Sequence, residues 1–414
     1  MMWGRMASCR RLLIGVSILT LFGAEPRLTF DFGSNAKVSA NTIYAPELGY
    51  GFDLGSKVTC TEHSCTSDHP FFFSVRLPEG NYNVKLKLGD AAAESVTTVK
   101  AESRRLVLEK VTTVRGQFVT RTFTVNVRNP RISTGGAVKL KDREIGVLHW
   151  DDKLTFEFND THPSVSALEI TKVDDAVTVY IMGDSTVTDQ IKEPWNSWGQ
   201  MLPRFFQTGV AIANHAESGE SLKSSLKARR LDKVMSTIKP GDYLFIQFGH
   251  NDQKERGEGV GAFTTYKSDL KYYVAEARLR GALPVLITPV NRRTFDANGK
   301  ITNSLGDYPD AVRQTAAEEK VPLIDLNAMS KPFYEALGPE DSKKAFVDNT
   351  HHNNYGSYEL AKCIVEGIKA AKLGIAKFLV TDIPKFDPAH PDPIEKFGIP
   401  PSPQSSTTKP DGNL

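Results

Sequence analysis

The chain has 414 residues, 40% of them hydrophobic and 24% charged. That length predicts two or three domains, and the composition is that of a folded globular protein rather than a disordered one. Lys+Arg total 51 against 49 for Asp+Glu, a net charge of +2, which offers no basic footprint for nucleic acid. No uninterrupted apolar run reaches the roughly 18 residues that span a bilayer, and four cysteines are too few for a disulfide scaffold or a C-x-x-C zinc ribbon.

At the N-terminus, Arg5, Arg10 and Arg11 precede an apolar stretch from Leu12 to Phe22. A basic region followed by a short apolar one reads as a secretory signal peptide over residues 1–24, cleaved after Ala24, with an uncleaved anchor as the competing reading. The mature chain is then exported, periplasmic or extracellular, with no membrane span. Export permits a disulfide between Cys60 and Cys65. The competing reading is zinc held by these thiolates and His63, which lacks a fourth ligand. Cys9 leaves with the signal. Cys363 lies in an apolar helical pattern and reads as a small buried hydrophobe.

Residues 25–174 are strand-like. Val75-Arg-Leu77, Val84-Lys-Leu86-Lys-Leu88, Phe123-Thr-Val125-Asn-Val127 and Leu154-Thr-Phe156-Glu-Phe158 alternate apolar and polar residues between Gly/Asn/Asp/Pro turns. Short alternating strands at regular spacing predict an all-β sandwich domain. The pattern changes near Asp174-Asp175. Over residues 175–379 the apolar strands Ala176–Ile181, Val210–Ala213, Tyr243–Phe248, Pro284–Ile287 and Val321–Ile324 alternate with helical stretches, as in 266–280 and 357–372. This order predicts βαβ units and a parallel sheet covered on both faces. Residues 380–414 are proline-rich and predict a flexible tail.

Ligands on parallel sheets sit at the carboxyl ends of the strands, and four polar clusters fall there. Ser185, in Met182-Gly183-Asp184-Ser185-Thr186, follows the first strand where a helix is expected to begin. It reads as a nucleophile or as an ordinary N-cap serine. Asn214-His-Ala-Glu-Ser-Gly219-Glu-Ser221 follows the second strand, and Gly219 can aim its backbone N–H at a ligand, or simply close a βα turn. Asn251, in Gly249-His250-Asn251-Asp252, offers amide N–H donors to an oxyanion, or closes a turn. Asp348-x-x-His351 lets a carboxylate orient an imidazole that acts as base toward a serine. Metal binding by His351 and His352 is the competitor. Adjacent side chains diverge and no H-E-x-x-H pattern is present, so the acid–base reading is preferred. Together these residues supply the roles of an acyl-transfer site, without the G-x-S-x-G elbow of α/β-hydrolases.

Gly183-Asp-Ser185, Gly219, Gly249-His-Asn251-Asp and Asp348-x-x-His351 resemble the four blocks of the SGNH (GDSL-like) hydrolases, over roughly Val177 to Leu379. Gly-Asp-Ser-Thr-Val, Trp198-Gly-Gln200, Ala216-Glu-Ser-Gly219, Gln247-Phe-Gly-His-Asn-Asp-Gln253 and Asp348-x-Thr-His351 are similar to the rhamnogalacturonan acetylesterase branch. The resemblance implies a flavodoxin-like three-layer α/β/α sandwich and deacetylation of a pectic polysaccharide without metal or organic cofactor. It implies Ser185 as nucleophile, His351 as base and Asp348 as its orienting group. The implied oxyanion hole is the backbone N–H of Ser185 and of Gly219 with the side chain of Asn251. The β domain resembles a galactose-binding-like module. One departure is Gly219-Glu220-Ser221, where many relatives have Gly-Arg-Ser.

Trp195 and Trp198 are candidates for stacking on sugar rings, with burial in the core as the alternative. Arg292 and Arg293 follow a strand end where a uronate carboxylate could be paired, or form a solvated surface pair. His250 is a further candidate contact. The expected partner is an acetylated polysaccharide as substrate, and the chain itself is expected to be a monomer. A lipid or aryl esterase of the same fold and a non-catalytic carbohydrate-binding protein are the rival functions.

Overall fold

The computed structural model describes residues 27–404. The signal-peptide reading, Cys9 and the last ten residues of the tail lie outside that range. Among the described residues no helix is long and apolar enough to cross a membrane.

Antiparallel strands occupy the N-terminal part. They are β1 (Arg27–Asp31), β2 (Tyr50–Asp53), β3 (Thr59–Cys60), β4 (Cys65–Thr66), β5 (Phe71–Arg76), β6 (Gly80–Leu88), β7 (Ser95–Ala101), β8 (Arg105–Thr113), β9 (Val119–Val127), β10 (Lys153–Asn159), β11 (Ser164–Val165) and β12 (Ala167–Val173). One sheet runs β1-β12-β6-β9 and a second β2-β5-β10-β7-β8, with β11-β4-β3 as a short third. The period of two works as the sequence suggests in β6, where Val84, Leu86 and Leu88 are buried and Lys85 and Lys87 are exposed. Side chains from both larger sheets share one core, including Phe30, Val84, Leu86 and Phe123 from the first and Phe73, Phe156 and Phe158 from the second. Cys60 and Cys65 are joined by a disulfide across β3 and β4, so their sulfurs are not thiolate ligands for zinc.

The C-terminal part is built on parallel strands β13 (Val177–Gly183), β14 (Val210–Asn214), β15 (Tyr243–Gln247), β16 (Leu283–Ile287) and β17 (Leu323–Ile324). Their order is β14-β13-β15-β16-β17, the flavodoxin-like arrangement with its switch point between β13 and β15. Alternate residues go to opposite faces. Val179, Ile181, Phe245 and Val285 pack with α1 (Trp198–Met201), α6 (Leu326–Asp341) and α7 (Asn354–Ala370). Tyr180, Met182, Leu244 and Ile246 pack with α2 (Leu222–Lys227), α3 (Arg230–Met235), α4 (Lys267–Leu279) and α5 (Tyr308–Glu319). Three layers result. Cys363 is a free, buried cysteine in α7.

Residues 380–404 do not behave as the expected flexible tail. Phe386 and Ile399 are buried in the core that contains α7. Lys100 Nζ donates to the Pro400 carbonyl at 2.8 Å, and Asn159 Nδ2 to that of Pro401 at 2.9 Å. Ser402 donates through its backbone N–H to Glu193 and through Oγ to Glu157, at 2.8 and 2.7 Å. An extended proline-rich backbone has no internal hydrogen bonds, so its carbonyls are free to meet donors elsewhere. Here buried Lys100 and Asn159 supply them.

Candidate active site

Ser185 lies just beyond the C-terminal end of β13, and Gly249–Asn251 lie just beyond β15, so the two flank the switch point of the sheet. The chain leaves β13 through a tight turn in which Val187 N and Thr188 N both donate to the Asp184 carbonyl. No helix begins at Ser185, contrary to the sequence expectation. The next helix, α1, begins only at Trp198, so Ser185 is not the first residue of a helix. Asp184 shapes the turn instead. Its Oδ1 accepts from Thr186 N and Thr186 Oγ1 at 2.9 and 2.8 Å. Gly183 is required by space, because a Cβ there would come within 2.6 Å of the Gln247 carbonyl oxygen and 2.7 Å of Val187 Cγ2.

Ser185 Oγ is 2.8 Å from His351 Nε2. His351 Nδ1 is 2.9 Å and 3.1 Å from the two Asp348 oxygens. The carboxylate accepts the Nδ1 proton, which leaves Nε2 as an acceptor facing the serine hydroxyl. Asp348 Oδ1 also accepts from the backbone N–H of Thr350 and of His351, both at 2.7 Å. This Asx turn holds acid and base of one segment in register. Partial burial works against ionisation of Asp348, but the hydrogen bond and charge of His351 and the two backbone N–H groups outweigh it. Its carboxyl is held well below the ordinary carboxylate range. Ser185 and His351 are buried, and the Trp195 ring stands edge-on to the imidazole, 5.5 Å between centroids.

The loop after β13 and the loop carrying His351 are tied to each other. Asn196 N donates to the His352 carbonyl at 2.9 Å, and Asn196 Nδ2 to Asn354 Oδ1 at 2.8 Å. Gln190 Nε2 donates to the Ser185 carbonyl at 2.8 Å. Gln190 was not singled out in the sequence, and nothing local marks it.

Gly219 has φ +79° and Gly249 φ +141°, both in the region that favours glycine. Asn251 is nearly buried, and its Nδ2 donates to the Glu220 carbonyl at 3.0 Å. This bond links the loops carrying Gly219 and Asn251 and leaves the amide's second N–H for another acceptor.

The expected substrate contacts separate. Trp198 is fully buried and donates through Nε1 to Gln247 Oε1 at 2.9 Å, so it is a core residue and presents no face to a sugar. His250 is also buried, with Nδ1 3.3 Å from Asp184 Oδ2. Its Nδ1 braces the turn after β13 from inside, and its buried Nε2 has no hydrogen-bond partner among the described residues. Arg293 binds the loop of the acid, donating from Nη2 to Asn349 Oδ1 at 2.6 Å. Arg292 stays close to the site. It is partly buried, donates to the Ser304 carbonyl at 3.1 Å, and interacts electrostatically with Asp184 and Asp348. Trp195 beside His351 is the tryptophan that remains at the site.

His352 turns away from His351. Its Nε2 is 2.8 Å from the Tyr334 hydroxyl, and burial pushes its imidazole down to about 3, so it sits neutral in the core. Among the described residues, no group of three or more His, Cys, Asp or Glu side chains is placed to hold a metal ion.

Residues 181–357 match the model of the GDSL-like Lipase/Acylhydrolase family. Rhamnogalacturonan acetylesterase RhgT of Bacillus subtilis (strain 168) is 42% identical over 222 residues, covering 50% of this chain and 95% of that protein. The probable rhamnogalacturonan acetylesterase YesY of the same organism is 38% identical over 213 residues, 49% of this chain and 98% of that protein. The uncharacterized esterase YxiM, also from that organism, is 30% identical over 388 residues, 86% of this chain and 94% of its own length. That last similarity extends into the antiparallel sheets. The chain is an esterase and belongs to the GDSL-like lipase/acylhydrolase family.

Proposed function

We propose that this protein is an exported carbohydrate esterase that removes O-acetyl groups from a pectic polysaccharide of the rhamnogalacturonan type. The observation that carries this reading is the continuous chain from Ser185 Oγ through His351 to Asp348, with links of 2.8 and 2.9 Å. The pectic substrate is supported by the names of the relatives RhgT and YesY, and export by the basic and apolar pattern of the first 24 residues.

Ser185 Oγ attacks the acetyl carbonyl carbon as its proton passes to His351 Nε2. Asp348 stabilises the imidazolium. The oxyanion is received by the backbone N–H of Ser185, that of Gly219, and the Asn251 amide. The tetrahedral intermediate collapses when His351 returns the proton to the sugar oxygen, which leaves as a hydroxyl. A water molecule, deprotonated by His351, then attacks the acetyl-serine, and His351 returns that proton to Ser185 Oγ as acetate leaves. Trp195, edge-on to His351, and Arg292, whose charge acts on Asp348, are the two side chains near the site assigned in this reading to contact with a uronate-bearing chain.

The test is acetate release from acetylated pectin, acetylated xylan and simple aryl acetates, with Ser185→Ala as control. The expected result is a preference for the pectic substrate and no turnover by the variant. Equal rates on all three would remove the pectic assignment, rates that rise with acyl chain length would favour a lipid or aryl esterase, and full activity of Ser185→Ala would remove the mechanism.

A further inference from the structure

The segment between β9 and β10 crosses from the antiparallel sheets to the loop after β14, where it meets the Glu217–Glu220 block. Lys141 Nζ donates to the Ser218 carbonyl at 2.6 Å. Arg143 Nη2 donates to the same oxygen at 2.7 Å. Each cation also has its own carboxylate. Lys141 pairs with Glu220 at 2.9 Å, and Arg143 donates from Nε and Nη2 to Glu217 Oε1 at 2.9 and 2.6 Å. Both carboxylates are buried, while both cations remain partly exposed.

The carbonyl of Ser218 belongs to the same peptide unit as the N–H of Gly219. A trans peptide is planar, so a fixed carbonyl direction also fixes the N–H on the opposite side. Two charge-assisted hydrogen bonds on that oxygen therefore do two things. They prevent rotation of a peptide flanked by a residue at φ +79°, and they draw electron density toward the oxygen, which strengthens the N–H as a donor. Two cations converging on one carbonyl repel each other unless neutralised; Glu220 supplies that neutralisation, joined by Glu217 as pH rises through about 7, the value to which burial and the nearby Glu144 charge push its carboxyl. Glu220 is thereby the seat of Lys141, with Arg230 Nε 3.7 Å from the same carboxylate.

We propose that Lys141 and Arg143 are positioning residues for ester hydrolysis, holding and polarising the Ser218–Gly219 peptide so that its N–H meets the developing oxyanion. The antiparallel part of the chain thus supplies part of the esterase's working geometry. The proposal rests on the reading of Gly219 as an oxyanion donor.

The experiment uses the full chain and p-nitrophenyl acetate, with kcat expressed per active site titrated by a phosphonate ester, or per protein for Ser185→Ala, which has no Oγ to titrate. Lys141→Met, Arg143→Met and the double variant are compared with Lys141→Arg, Arg143→Lys, Asn251→Ala and Ser185→Ala. Loss of a whole oxyanion donor costs about 10²–10³ in rate. The expected result is a fall in kcat of about tenfold for each Met variant and about a hundredfold for both, with KM within about twofold. Lys141→Arg and Arg143→Lys recover most of it. Double-variant kcat within twofold of the parent, alongside a large loss in Asn251→Ala, would overturn the proposal while leaving the oxyanion reading intact. Full turnover by Asn251→Ala and Ser185→Ala would overturn that reading and the proposal with it. A loss confined to the number of titratable sites, with normal kcat per site, would also overturn it, because that is the mark of scaffolding alone. If Arg143→Met does not fold, Lys141→Met, altered at a partly exposed side chain, decides between these outcomes.

Discussion

Arg105 Nε donates to Asp189 Oδ2 at 2.6 Å, and both side chains are buried. Arg105 opens β8 of the antiparallel sheets, whereas Asp189 lies four residues past Ser185 and also accepts from Asn214 Nδ2 at 2.8 Å. Beside it, Arg104 donates to the Gln190 and Trp195 carbonyls at 3.1 and 2.8 Å and pairs with Glu193. Two consecutive arginines of one part of the chain thus hold the loop that carries Ser185 of the other. Removing one partner of a buried pair leaves the other charge uncompensated. Arg105→Met should lower unfolding free energy by about 3–5 kcal/mol in denaturant titration. A change below about 1 kcal/mol would mean the pair is not holding the two parts together.

Asp348→Asn keeps the shape of the acid but removes the charge that stabilises the His351 imidazolium. Turnover should fall on the order of 10³–10⁴-fold with the fold retained. The stability effect has a defined pH sense. The folded pKa is depressed, so the contribution of Asp348 is present above the unfolded carboxylate value, near 3.9, and is lost as pH falls through and below it. The gap in unfolding midpoint between parent and variant should therefore close in acid. A gap constant down to pH 2 would contradict the assignment.

Asp252 shifts in the opposite direction. Burial, with the nearby Asp184 charge, pushes its carboxyl up to about 8, against the hydrogen bond that Leu222 N donates to Oδ1 at 2.9 Å. Between the unfolded value near 3.9 and about 8, the folded state holds a proton that the unfolded state has lost, so stability falls as pH rises through that window. Asp252→Asn keeps an oxygen for Leu222 N and carries no charge. Its advantage in melting temperature over the parent should grow from pH 4 to pH 8 and then level off. Parallel melting curves across that range would refute this.

Trp198 and Trp195 should respond differently. Trp198→Ala removes a fully buried side chain and the hydrogen bond to Gln247, and should cost about 3–5 kcal/mol of stability. Trp195→Ala, also at a buried side chain, should cost stability too and should in addition lower turnover through the lost edge contact with His351. Calorimetry and kcat measured on the same preparations separate the two effects.

Truncation after Leu379 should lower the unfolding midpoint. It removes Phe386 and Ile399 from the core and strips Ser402 and the Pro400 carbonyl from the buried Lys100–Glu157 pair. An unchanged midpoint would mean that residues 380–404 only rest on the surface.

Three of the four polar blocks were legible because strand ends of a parallel sheet are marked locally, by an apolar run that stops at Gly, Asn or Asp; the fourth, Asp348-x-x-His351, was also expected at a strand end but lies between α6 and α7, and only its acid–imidazole spacing marked it. Ser185, His351 and Asp348 meet as their spacing suggested. The substrate contacts were less legible. Trp195 and Trp198 lie three residues apart with one chemistry and both are buried, and only packing makes Trp195 a neighbour of His351 while Trp198 opens α1 and binds Gln247. The proline-rich segment misled because composition reports a chain's own capacity for burial and not the donors that another region offers it.

Sequence alone determined the strand-rich and alternating regimes, the strand ends and the chemical groups available there, since each rests on periodicity or on contacts between near neighbours. Tertiary structure decided which charged side chains act on those groups. Lys141 reaches the Ser218 carbonyl across 77 positions, and Lys100 reaches Pro400 across 300. Such contacts leave no periodic trace, because a lysine that will bind a distant carbonyl and one that will face water look the same until the chain has closed around them.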